Sequence, residues 1–216
     1  AMTTTRTLCA PTTVPYMMDF ESGTTPDVYP SCTSVWDVNG SSGPVQNSTG
    51  GQWIIDEGVS PDTYVSSTKT LRYIYDAVNT ARGADDWFFL QGLDLTAGMS
   101  YRLKFFYKGS NGPDVKEKLE VMYGNSAQPS AMTNLLYENN NINTAVANPW
   151  DSVHDDFTPT STGTYYIGFH AKSDPDQAVL YLDDVSVRTT PVVDVGVSSI
   201  KETLPTCPAD NFVMTA

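Results

Sequence analysis

The stretch Tyr101-Arg102-Leu103-Lys104-Phe105-Phe106-Tyr107-Lys108 sets the architecture. Tyr101, Leu103, Phe105 and Tyr107 alternate with Arg102, Lys104 and Lys108, and only Phe106 breaks the rule. A period of two with one apolar and one charged face describes a half-buried strand with a wet outer side. The same alternation recurs downstream. Leu119, Val121 and Tyr123 alternate with Lys118, Glu120 and Met122, while Tyr165, Ile167 and Phe169 alternate with Tyr166, Gly168 and His170. Leu180 and Leu182 alternate with Val179 and Tyr181. Shorter apolar runs over 16–20, 52–55, 71–75, 87–90, 134–137 and 153–157 add strand candidates.

Turn chemistry separates these runs: Ser22-Gly23, Asn39-Gly40, Gly50-Gly51, Ala97-Gly98, Asn111-Gly112-Pro113 and Thr162-Gly163. Many short strands between such turns predict an all-β fold, a two-sheet antiparallel β-sandwich of the jelly-roll kind. A short helix is expected near 131–135, and the Asn-rich segment 138–148 is expected to be a long loop. Residues 1–10 are expected to be an appended or linker segment and 11–190 the domain. Residues 191–216 are expected to hold a linker and the start of a following Ig-like domain, because Thr189-Thr190-Pro191 precedes a new alternating run, Val192 to Ile200.

The 216 residues include 12 Lys+Arg and 25 Asp+Glu, a formal charge of −13. Scattered cations on so acidic a chain argue against nucleic acid, which needs a clustered basic surface. Membrane insertion is not expected either, since no apolar run approaches the roughly 20 residues that span a bilayer. Three cysteines are present. In an oxidising compartment Cys9 and Cys32 can close one loop around the first strand, restraining the unfolded chain by ~3 kcal/mol. The other reading is three reduced thiols. Cys207 falls in the terminal segment, and Asn47-Ser48-Thr49 is formally a glycosylation acceptor.

Two short motifs lie at opposite ends of the expected domain: Asp19-Phe20-Glu21-Ser22-Gly23 and Leu182-Asp183-Asp184-Val185-Ser186-Val187. Between them lie the segment from Leu95 through Phe106-Tyr107-Lys108 and the strand Gly163 to Ala171. In combination these resemble the cleaved-adhesin and MAM-like (choice-of-anchor J) jelly-roll modules, and the related calcium-containing carbohydrate-binding modules. The resemblance implies a galactose-binding-like sandwich in a secreted or cell-surface bacterial protein, acting in adhesion or in carbohydrate or protein recognition. It also implies a structural Ca²⁺ where the first and last strands meet, held by Glu21 and Asp184, with Asp183 and Asp19 as further candidates. A hard cation suits carboxylates brought together, because it accepts six to eight oxygens in loose geometry. Asp183 and Asp184 are adjacent, so both can point to one site only if a bulge intervenes. Asp174-Pro175-Asp176, Asp85-Asp86 and Asp155-Asp156 are weaker acidic pairs, better read as turn or surface chemistry.

Nothing in the sequence spells catalysis. Ser152, His154 and Asp155 are too close along one strand to face one another as a triad. No Gly-x-Ser-x-Gly or His-Glu-x-x-His motif occurs. The expected role is therefore a non-catalytic module. A structural spacer is the alternative, and a glycan-active hydrolase a distant one. For glycan contact the candidates are Trp150, Tyr166 and Tyr181, aromatic residues off the core parity or in polar surroundings.

Overall fold

The computed structural model describes residues 9–23, 28–39, 51–57, 65–66, 68–76, 79–109, 115–143 and 150–190. The run at 192–200, Cys207 and the Asn47 acceptor lie outside them.

Twelve strands follow in chain order: β1 Tyr16–Met18, β2 Ser34–Asp37, β3 Gln52–Glu57, β4 Lys69–Ile74, β5 Asp86–Phe89 and β6 Leu93–Leu95; then β7 Tyr101–Gly109, β8 Glu117–Gly124, β9 Met132–Ile142, β10 Asp151–Phe157, β11 Gly163–Ala171 and β12 Val179–Thr189. They form two sheets. The first runs β10-β7-β12-β4-β3, with β1 added beside β12; the second runs β2-β5-β11-β8-β9, with β6 added beside β11. All the strand pairs are antiparallel. This is the expected sandwich.

The deciding stretch is β7, between β10 and β12. Its alternation turns Leu103 and Phe105 inward, where both are wholly buried. Phe105 meets Phe169 of the facing sheet edge-on at 5.3 Å. Leu71, Leu119, Val121, Ile167, Leu180, Leu182, Val185 and Val187 complete the same core. Each large side chain buried there stabilises the fold by about 1.5–3 kcal/mol. Cys9 and Cys32 are bonded, with Cα atoms 5.4 Å apart, so the loop that contains β1 is closed covalently.

Two local expectations fail. Residues 132–135 are strand, and only the single 3-10 turn Pro129–Ala131 is helical. Residues 138–142 continue β9 instead of forming a loop. As an edge strand β9 leaves most side chains in water, and three register shifts against β8 accommodate its irregular pattern. Polar Asn residues are tolerated there, so composition gave a loop signal for what is a wet strand.

Candidate functional site

The terminal strands do lie side by side. β1 pairs with the last third of β12, Tyr16 opposite Val187 and Met18 opposite Val185. β4 pairs with the first third, Leu71 opposite Leu182. β12 therefore changes partner between Leu182 and Val185. At that point its register against β7 shifts, between Asp183 and Ser186, and Asp184 takes φ 48°. This bulge lets two adjacent acids serve one region. Val65 N–H donates to Asp183 Oδ2 at 2.7 Å, and Ser66 Oγ donates to Asp184 Oδ1 at 2.6 Å.

Glu21 comes to the same segment from β1. Its Oε1 accepts the Thr68 and Lys69 N–H groups at 2.9 and 2.7 Å. Asp19 Oδ1 accepts the Glu21 N–H and so shapes the turn out of β1, together with Phe20 at φ 61°. The Lys69 ammonium donates to the carbonyl oxygens of Glu21 and Gly23 at 3.0 and 2.7 Å. Glu21, Asp183 and Asp184 thus all bond to the segment 65–69 ahead of and into β4, while Asp19 stays within the turn after β1. Asp183 is wholly buried, and burial, against the N–H groups of Val65 and Asp184, pushes its carboxyl up to about 7.

The donor set fits a hard cation in kind, with three carboxylates and two turn carbonyls, those of Glu21 and Gly23, that already hold the Lys69 ammonium. Among the described residues, though, no three acidic side chains converge on a single point. Glu21 and the Asp183–Asp184 pair engage different parts of 65–69.

A second feature crosses the outer face of the first sheet. Cross-strand register puts Lys108 opposite Tyr181, Tyr181 opposite Arg72, and Arg72 opposite Ile54. Trp150, just ahead of β10, extends this row. Its ring meets Tyr181 at 6.3 Å and 67°, with Lys108 Nζ 5.1 Å above Trp150 and 5.2 Å above Tyr181. Lys108 is not the wet residue its alternation suggests: only 3 % of it is exposed, because the two rings cover it. Arg72 pairs with Asp56 at 3.2 Å through Nη1. Its Nε–H, and the Nε1–H of Trp150, are buried without any acceptor. Two unpaired donors in one row are an unfinished hydrogen-bond set, each costing about 1–3 kcal/mol.

Tyr166 is on the other sheet and does not join this row. It packs against a satellite cluster of Trp87, Phe89 and Met132 on that sheet's outer face. His170 lies there too, on the outer face as expected, but it is covered by Trp87, ring on ring at 4.2 Å. Sequence reading reached Trp150 and Tyr181 but missed Lys108 and Arg72 as their companions. Only the register over three strands shows that these four share a row.

The fold is an antiparallel β-sandwich of the jelly-roll kind, and solved structures share it. A cleaved adhesin domain of Lys-gingipain from Porphyromonas gingivalis is similar at TM-score 0.63 and 18% identity, covering 82% of this chain and 98% of that one. The carbohydrate-binding module TmCBM61, solved with beta-1,4-galactotriose, has TM-score 0.51 and 12% identity, covering 74% and 90%. A cyclase from Fischerella sp. TAU, solved with 4-(1H-indol-3-yl)butan-2-one, has TM-score 0.58 and 14% identity, covering 82% and 96%. No family model matches the sequence, and no curated protein matches it. At these identities the likeness is one of fold: a cleaved-adhesin-like, carbohydrate-binding-module-like sandwich.

Proposed function

We propose that this chain is a non-catalytic recognition module of a secreted or cell-surface bacterial protein, engaging a glycan or an extracellular protein through the outer face of its first sheet. The observation that carries this reading is the row Trp150, Lys108, Tyr181 and Arg72. It combines aromatic rings with cationic and N–H donors, two of which lack acceptors. Sugars present oxygen acceptors and C–H faces together, which is the complement of such a row. The adhesin and carbohydrate-binding relatives in fold support the class, and the disulfide suits an oxidising compartment. A glycan array with wild type and Trp150→Ala tests it: signal on wild type, lost in the variant, is the expected result. A blank array for wild type returns the module to the role of spacer.

The second part of the proposal is a structural Ca²⁺ at the joined chain ends. Glu21, Asp183 and Asp184 would hold it, and Asp19 would shape the approach. What supports it is the burial of Asp183 beside Asp184. Neighbouring carboxylates in a poorly solvated place need a proton or a cation. Bound Ca²⁺ would stabilise the fold by mass action, about 2.7 kcal/mol at a hundredfold excess over Kd. Thermal melting in Ca²⁺ and in EDTA is expected to give a higher midpoint with the metal; equal midpoints reject the site.

A further inference from the structure

The second sheet places another pair of acids face to face, away from Glu21 and Asp183. Asp37 closes β2 and Asp86 opens β5, and the register sets them directly opposite each other. Asp86 shares the inward parity of Phe88, and only 2 % of it is exposed. One oxygen, Oδ2, accepts the Asp85 N–H at 3.2 Å. The other, Oδ1, is buried with no hydrogen-bond partner. Like charges directly across a strand pair destabilise it, and burial multiplies the cost. Burial first, and the Asp37 charge after it, push the Asp86 carboxyl up to about 8, against the Asp85 N–H and the nearby Tyr73 hydroxyl.

The surroundings deepen the negative potential. The hydroxyl of Tyr73 is held far above its ordinary range, first by burial and then by Asp86, Glu117, Asp37 and Asp76 together. Three neighbouring acids have identified partners. Asp76 meets Arg82 at 3.3 Å, Glu117 takes the Ser173 hydroxyl and the Ala178 N–H, and Asp85 takes His170 Nε2 at 2.9 Å. None of these partners bonds to Asp86 Oδ1.

We infer that Asp37 and Asp86 form a second site for a hard divalent cation of the Ca²⁺ class, with Asp86 Oδ1 as its buried ligand. A cation would lower the cost of two opposed carboxylates and give the unpartnered Asp86 Oδ1 a ligand role. The donors are all oxygen, which favours Ca²⁺ over softer metals, and loose geometry lets carbonyls and water complete the shell. Asp37, half-buried, is the side from which the ion enters. This site does not depend on the chain-end site and is counted separately from it.

The test is the number of Ca²⁺ ions bound per chain, by equilibrium dialysis of the EDTA-stripped 216-residue protein. Wild type, Asp86→Asn and Asp37→Asn are compared. Each variant is expected to bind one ion fewer than wild type. Tb³⁺ is expected to show emission sensitised by Trp53, whose Nε1–H donates to the Asp86 carbonyl oxygen at 3.0 Å, and to lose it in both variants. Equal stoichiometry in wild type and a folded Asp86→Asn overturns the site and leaves the pair sharing a proton, which Asn imitates. If Asp86→Asn does not fold, the more exposed Asp37→Asn decides by the same count. Failure of the chain-end reading lowers the count in all three proteins alike, so the two outcomes stay distinct.

Discussion

The outer faces of the two sheets carry rows built to one plan with opposite chemistry. On the first sheet the row is Trp150, Lys108, Tyr181, Arg72 and Ile54. On the second it is Trp36, Trp87, His170, Glu120 and Glu138. Each begins with tryptophan near a sheet edge. The first then carries Lys108, held under two rings, and Arg72, paired with Asp56 but with its Nε–H unpaired. The second offers acids, and its own residues answer most of them: Lys172 bridges Glu120 and Glu138, and His170 takes Asp85. Trp87 and Phe89 stack at 5.6 Å and 3°, over the space left by Gly168, where a Cβ would come within 2.9 Å of both rings. The second face is a small core in its own right. The first leaves the Arg72 Nε–H and the Trp150 Nε1–H buried and unpaired.

That contrast can be broken by substitution. Trp87→Ala removes a buried ring from the closed face and is expected to cost about 3–5 kcal/mol in urea unfolding. Trp150→Phe, on the open face, removes an unpaired donor while keeping a ring. Relief of the unpaired donor offsets the smaller ring, so without ligand the variant is expected to be as stable as wild type or up to about 1–2 kcal/mol more stable, measured the same way. A large loss there would mean that the open face is also structural.

A pH profile sharpens the comparison further. Burial under Trp87 lowers the His170 pKa, against the opposing pull of Asp85 and Glu120 and with a smaller contribution from Lys172. The folded state therefore prefers the neutral ring. Stability from this residue is complete above the unfolded pKa of about 6.5 and is lost as pH falls below it. Between pH 7 and pH 5, wild type is expected to lose more stability than His170→Gln; parallel profiles would show the ring to be indifferent. The smallest effect is expected at Trp36→Ala. This ring faces Trp87 in register but is 47 % exposed, so the change should remain within about 0.5 kcal/mol.

Much of the sandwich was legible because its inward residues keep period two over long stretches, as in β7, β11 and the start of β12. Where edge strands answer to water instead of the core, as in β9, the pattern failed. The motifs at the two ends pointed to Glu21, Asp183 and Asp184, which the fold brings to the segment 65–69. What the sequence could not hold was register. That Asp37 faces Asp86, or that Arg72 stands two strands from Lys108, follows from pairings between residues far apart in the chain. Lys108 was misjudged for the same reason, since the two rings that cover it arrive from β12 and from ahead of β10.

The bond between Cys9 and Cys32 has a mechanical consequence. Tension applied between residue 9 and residue 190 divides at Cys9, one branch following the chain into β1 and a second passing through the sulfur bridge. The second branch enters at residue 32, next to β2 in the second sheet, and leaves through β12 in the middle of the first. This load path therefore crosses the packed interior between the sheets, where parting them means exposing Phe88, Phe105 and Phe169 to water. The bridge spares the three-residue ladder of β1 on β12 from carrying that load alone.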